Sequence, residues 1–211
     1  MAVEETKTKI LDAAEWFFAE MGFHATSLRQ ITERAGVNVA SVNYHFGSKE
    51  NLMDAVLKRR IEPLNALRLA QLEAVLSAAK AAGVQPSARD VVASFMEPTL
   101  RTVIQPEFGN LSLIMSRIFT EHNGVVMERV APLIEGLLAR FITALCEALP
   151  HLSRDEVALR FRMSLGAMHH AIHAVRGNMV NDVPGALTTQ LPEEKVMAAL
   201  IDFAAGGMEG T

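Results

Sequence analysis

Apolar residues in this chain recur at spacings of three and four almost from its start, the period of an amphipathic helix. Ile10, Ala14, Phe17, Phe18 and Met21 set the first stripe and predict a helix over residues 4–21, ended by a left-handed Gly22. Trp16 falls off that stripe and receives no role. A second helix starts at Thr26 or Ser27, either of which can cap it, carries Leu28, Ile31 and Ala35 inward, and closes at Gly36. Asn38 caps a third, whose short apolar stripe is Val39, Val42 and Phe46, before Gly47 interrupts. Ser48 then caps a fourth, with Leu52 and Val56, reaching about residue 60.

The remainder carries the same period. Pro63 fits the first turn of a helix running to about Ala82, with Leu64, Leu67 and Leu72 inward, and Gly83 and Pro86 break it. Ser87 to Asp90 opens another helix, disturbed at Pro98. A segment of about Leu111 to Glu121 precedes the turn signal Asn123-Gly124. Val125 to Leu149 is long and broadly apolar, with Pro132 near its start or kinking it. Ser153 and Glu156 form a capping box for a helix to Arg176. Residues 177–191 read as a loop, and Glu193 to Ala205 as a last helix. No segment carries a strand pattern, so the expected fold class is all-α, divided into residues 1–60 and 61–211.

Composition sets limits on this picture. Half of the 211 residues are apolar, enough for a sizeable core. The single Cys146 forms no internal disulfide, excludes a Cys-based zinc site and suits a reducing cytosol, so a cytoplasmic location is expected. No apolar run approaches the ~20 residues of a membrane span, and the charged start lacks a secretory pattern. Net charge is −4, but residues 1–60 hold eight basic and eight acidic residues, so the acidity lies in residues 61–211. Nucleic-acid binding needs a local basic face, not a basic total. Charge permits that function and does not supply it.

Residues 26–52 carry the candidate chemistry. Two short helices joined by a tight glycine-containing turn describe a helix-turn-helix. The second has small and polar residues, Ala40, Ser41, Asn43, Tyr44 and His45, at or near its surface, and such a helix enters the DNA major groove without clashing. An ordinary helical hairpin with a polar outer face accounts for the pattern equally well.

Gly36-Val37, Ser41, Tyr44-His45-Phe46 and Ser48-Lys49-Glu50-Asn51-Leu52 resemble the signature of the tetracycline-repressor (TetR) family, as do Gly22-Phe23, Thr26-Ser27, Ile31 and Ala35-Gly36 upstream. The similarity is ungapped over roughly residues 5–55. It implies an all-α homodimer with a three-helix DNA-binding domain and a C-terminal domain that binds a small ligand and dimerises. It further implies a repressor of a palindromic operator, released by that ligand; an activator of the same fold is the alternative. The departure is Asn43, where many relatives carry a bulky residue. The expected DNA-contacting set is Thr26, Ser27, Arg29, Asn38, Ala40, Ser41, Asn43, Tyr44, His45 and Lys49. Within it Thr26, Tyr44, His45 and Lys49 hold phosphates, while Ser41 and Asn43 read base edges, Asn pairing bidentately with adenine.

Dimerisation is expected through the helices at 125–149 and 153–176. One stripe is Val126, Val130, Leu133, Leu137, Phe141 and Leu145; the other is Val157, Phe161, Leu165, Met168 and Ile172. Their alternative is internal core. Phe95, Met96, Leu100, Phe108, Met115, Phe119, Met163 and His169 are candidates to line a cavity for a small hydrophobic effector, with internal core as the alternative reading. Tyr44-His45-Phe46 and Pro63-Leu64-Asn65 weakly resemble the TetR subgroup that includes fatty-acid-responsive regulators, and that resemblance implies an acyl effector. Arg117, Glu121 and His122 are polar candidates there. His169 and His173 have a metal-ligating spacing, but no carboxylate lies near in sequence, so they read as a polar stripe and no metal or cofactor is expected. No nucleophile–base pair, carboxylate pair or metal-ligand motif is recognisable, which speaks against the first rival class, an all-α enzyme; the second rival is a DNA-binding adaptor with a packed, ligand-free C-terminal core.

Overall fold

The computed structural model describes residues 2–104, 110–111, 113–115, 124–175 and 192–210. Eight helices are described: α1 (Ala2–Ala25), α2 (Leu28–Ala35), α3 (Val39–Phe46), α4 (Lys49–Ala82), α5 (Ala88–Ile104), α6 (Gly124–Ala148), α7 (Arg154–Val175) and α8 (Glu193–Glu209). Among the described residues there is no strand. The expected loop at 177–191 and the side chains of Phe108, Arg117, Phe119, Glu121, His122 and His173 lie outside the described residues. The chain groups into two compact units, Met1–Pro63 with Pro106–Ile134, and Leu64–Gln105 with Glu135–Thr211.

In the first unit α1 packs on α2 and α3. Ile10, Ala14, Phe18, Ile31, Val42, Leu52 and Val56 form its core, and Leu111, Ile114, Val126 and Val130 complete the same core from far along the chain. Local sequence sets the corners. The first helical run of α1 breaks at Gly22, as expected; that residue sits at φ 80°, ψ 168°, a conformation that glycine tolerates, and helical structure resumes after the kink to Ala25. Gly36 takes the left-handed conformation expected of it, and Val37 N–H reaches back to Thr32 O at 3.0 Å to close α2. One charge is buried among these apolar groups. Glu15 on α1 accepts from Arg60 Nε at 2.9 Å and from Arg59 Nη2, the two arginines standing on α4.

In the second unit α5 packs on α7 and α8, and α7 on α8. Val91, Val92, Phe95, Met96, Phe141, Leu145, Val157, Phe161 and Met208 fill the core. Phe95 meets Phe141 and Phe161 edge-on at centroid distances of 5.0 and 5.3 Å, and Phe141 lies parallel to Phe161 at 6.2 Å. The capping box at Ser153 and Glu156 forms as expected, Ser153 N donating to the Glu156 carboxylate at 2.9 Å and Glu156 N to Ser153 Oγ at 3.3 Å. The Ser153 hydroxyl, donating to Glu156 Oε2 at 2.7 Å, and then the Ser153 N–H lower the Glu156 carboxyl's pKa from its ordinary value.

Two expectations change. Pro63 does not open a new helix, because α4 runs unbroken through it. The ring lies on the exposed side while Ile61 and Leu64 stay buried, and burial of these flanking apolar residues offsets the lost backbone hydrogen bond. The stripes expected to meet a second subunit are internal. Val126 and Val130 belong to the first core, and Leu137, Phe141, Leu145, Val157, Phe161, Met168 and Ile172 to the second. What α7 turns outward instead is Leu159, Met163, Gly166 and His170, and the outward face of α6 carries Gly136, Ala139 and Thr143.

Candidate nucleic-acid interface

The helix-turn-helix is α2, the turn through Gly36 to Asn38, and α3. Ser27 caps α2 in a reciprocal box with Gln30: the Gln30 N–H donates to Ser27 Oγ at 3.3 Å, and Ser27 N–H to Gln30 Oε1 at 2.8 Å. Asn38 caps α3, its Oδ1 accepting from Ser41 N at 2.9 Å and from the Ser41 hydroxyl at 3.1 Å. Both expected contact residues are thus partly engaged with each other, and the cap oxygen serves the helix first.

Val42 and Phe46 bury the inner face of α3. Val39, expected to join them, is 42% exposed because the stripe has narrowed to these two positions. The outer face presents Ala40, Asn43 and Tyr44, three and four residues apart, with Ser41 and His45 half-buried on its flank. Tyr44 is 80% exposed, its ring edge-on to His45 at 5.1 Å. Arg29 is exposed on α2, bound to Glu33 at 2.8 Å.

Thr26 is not a surface group. Its buried hydroxyl donates to Gly22 O at 2.7 Å and reaches Phe17 O at 3.2 Å, so its proton is spent stitching the α1–α2 corner and is not offered to a phosphate. Lys49 closes the same corner: Nζ donates to Thr26 O at 2.7 Å and stands 4.5 Å above the Phe23 ring. Trp16 also acquires a role, since the Arg34 guanidinium lies 4.0 Å over its ring and ties α1 to α2. Gly47 links α3 to α4 at φ 77°, ψ −46°, with its N–H on Asn43 O at 3.0 Å. A Cβ there would meet Asn51 Nδ2 only at 3.5 Å, so the demand for glycine is conformational. Gly47→Ala is expected to cost roughly 1–3 kcal/mol of stability and to weaken DNA binding, checked by urea unfolding and gel shift on one preparation.

Charge is arranged locally. Glu4, Glu5, Asp12, Glu15, Glu33 and Asp54 are each within salt-bridge distance of a lysine or arginine. From Arg34 to Lys49 the chain has no acidic residue at all. A neutral domain thereby presents α3 and its flanks without a carboxylate to repel a polyanion.

The cavity candidates separate. Phe95, Met96 and Leu100 lie together in the second core, whereas Met115 packs against the first. Met163 is 65% exposed on α7, and His169 is half-buried on the same helix. The second unit also has a surface groove of about 540 Å³, bounded by Leu76, Val84, Pro86, Cys146 and Pro150, that the sequence did not point to. Sequence reasoning also missed Arg68, which is buried beside Phe95.

These features define a helix-turn-helix protein with a second, helical unit. Residues 10–56 match the model of bacterial regulatory proteins of the tetR family, and residues 93–207, more than half of the chain, match the tetracyclin repressor-like C-terminal domain. The chain belongs to the tetR family. It is 45% identical over 71 residues to the HTH-type transcriptional regulator RutR of Escherichia coli (strain K12), a match covering 32% of this chain and only 34% of that relative. Among solved structures it resembles the fatty acid degradation regulator FadR from Bacillus halodurans, with TM-score 0.70 and 14% identity over 97% of this chain and 96% of that one. The transcriptional regulator FadR from Bacillus subtilis, in complex with stearoyl-CoA, is similar at TM-score 0.69 and 16% identity, covering 95% and 98%.

Proposed function

We propose that the protein is a transcriptional repressor that binds a palindromic operator as a homodimer and leaves it on binding a small hydrophobic, acyl-bearing effector. The observation that carries this is the exposed Ala40–Asn43–Tyr44 face of α3, in a stretch free of acidic residues from Arg34 to Lys49. Residues 1–60 carry DNA binding and residues 61–211 effector binding and dimerisation. Asn43 and Ser41 read base edges in the major groove. Ser27, Arg29, Asn38, Tyr44, His45 and Lys49 hold the backbone, Ala40 allows close approach, and Thr26 positions the corner from within. Two copies join through the outward faces of α6 and α7, where Gly136 and Ala139 permit close approach and Leu159 and Met163 supply apolar area. A helix read once covers too few base pairs for specificity, and a two-fold pair reads a palindrome. The stearoyl-CoA held by the Bacillus subtilis relative supports an acyl effector. Family membership weighs against the enzyme class. Among the described residues no helix is long and apolar enough to cross a membrane.

Footprinting on DNA flanking the protein's own gene tests the proposal, and no protected palindrome would end it. On that site Lys49→Met should weaken all sequences alike and flatten the salt dependence by about one unit of slope. An unchanged slope would leave Lys49 as a corner clip only. Asn43→Ala should instead change which sequences are preferred; a uniform loss would make Asn43 a positioning residue.

A further inference from the structure

Arg68 stands on α4 in the second unit and is only 7% exposed. Its partners are neutral. Nη1 donates to Asn65 Oδ1 at 3.0 Å, while Nε and Nη2 donate to Thr99 Oγ1 at 3.1 and 2.7 Å. The Thr99 hydroxyl proton is turned to Phe95 O at 2.8 Å, so that oxygen faces the guanidinium purely as an acceptor. The guanidinium carbon lies 4.1 Å over the Phe95 ring, and Phe95 is part of the aromatic trio of the core. Among the described residues no carboxylate pairs with Arg68.

A buried cation without an anion is costly. Taking a charge out of water loses several kcal/mol that neutral hydrogen bonds only partly return. The contrast lies within the same chain: the arginines that meet Glu15 receive a buried carboxylate, and Arg68 receives an amide, a hydroxyl and a ring. Burial pushes its pKa down to about 9, so it still carries its charge at neutral pH. Stability alone does not call for such a group, because an apolar residue of similar length would fill the site without the penalty. A planar fork of N–H donors does match a carboxylate or a phosphate, and does so best where water is excluded.

We propose that Arg68 anchors the anionic end of the effector, an organic anion whose apolar body lies against the Phe95–Met96–Leu100 face of α5. This rests on the effector-responsive function proposed above and adds the charge that the ligand must carry. A neutral molecule of the same shape leaves the guanidinium as it stands; an anion completes it. The anionic oxygens come from the carboxylate of a free fatty acid or the phosphates of an acyl thioester.

The full-length protein distinguishes these by thermal melting with three probes: palmitate, palmitoyl-CoA and the neutral hexadecanol. At least one anionic probe should bind the wild type roughly 10- to 100-fold tighter than hexadecanol and raise the melting temperature accordingly. Protection by palmitate alone assigns the carboxylate, and protection by palmitoyl-CoA alone assigns the phosphates. Arg68→Met should lose the preference for the anion while binding hexadecanol as before, and should melt without ligand at or above the wild type. Arg68→Lys should keep part of the preference, and carries the test if the methionine variant does not fold. The assignment is overturned if neither anion binds the wild type, if hexadecanol binds as tightly, or if the anions bind both variants as they bind the wild type. A gel shift run beside it separates the two proposals. Anion binding that depends on Arg68 but leaves DNA bound would keep the anchor and remove effector release.

Discussion

Glu15→Gln is expected to cost roughly 3–5 kcal/mol, the range for removing one partner from a buried ion pair. Glu15 is fully buried, and its carboxylate receives both Arg59 and Arg60. The amide keeps the shape and loses the charge, so both guanidinium groups lose the buried carboxylate they share, and Arg59 keeps the exposed Asp12. Arg59 Nε has no hydrogen-bond partner among the described residues, so the carboxylate on Nη2 is the chief compensation for its desolvation. Asp12→Asn is the internal control. Asp12 meets the same Arg59 at 2.7 Å but is 63% exposed, and exposed pairs contribute ~0–1 kcal/mol. Urea unfolding of both variants decides the matter; equal midpoints would mean that the buried carboxylate has no special weight.

Phe141→Ala should cost about 3–5 kcal/mol, the usual range for emptying a buried aromatic site. The ring has no exposure and contacts both other members of the aromatic trio, so its removal leaves a void bordered by two rigid rings. Rigid walls relax poorly, which puts the expected loss toward the upper end. Phe141→Leu refills part of the volume and should recover about half. Calorimetry on the two variants reads this directly. A loss under about 1 kcal/mol for the alanine variant would show that the second core collapses around the gap.

How much of this the sequence disclosed depends on the range of the interaction. Gly36, Asn38, Ser48, Ser153 and Glu156 act on backbone groups within five residues, and each does what its type and spacing indicated. The polar face of α3 was legible for the same reason. Glu15 and Arg68 were not. Each occupies a position on a buried stripe, Leu11–Glu15–Phe18 on α1 and Leu64–Arg68–Leu72 on α4, and a search for apolar periodicity steps over them. A charge at a stripe position is itself the signal, because it demands a buried partner. The apolar stripes of α6 and α7 posed a different difficulty. Periodicity says that a face is buried but not against what, and here the chain's own cores take it. Thr26 was misplaced because its type suits both a cap and an inward bond; the carbonyls of Gly22 and Phe17 decide between them.

The core of the first unit is closed by Leu111, Ile114, Val126 and Val130. During synthesis, α1 to α3 therefore leave the ribosome with apolar surface still uncovered, and they wait for Leu111, Ile114, Val126 and Val130 before their packing is finished. A nascent chain stopped before that point holds α3 on an incomplete support. The support of α3 is thereby completed only in chains in which the Leu64–Gln105 part of the second unit has already been made.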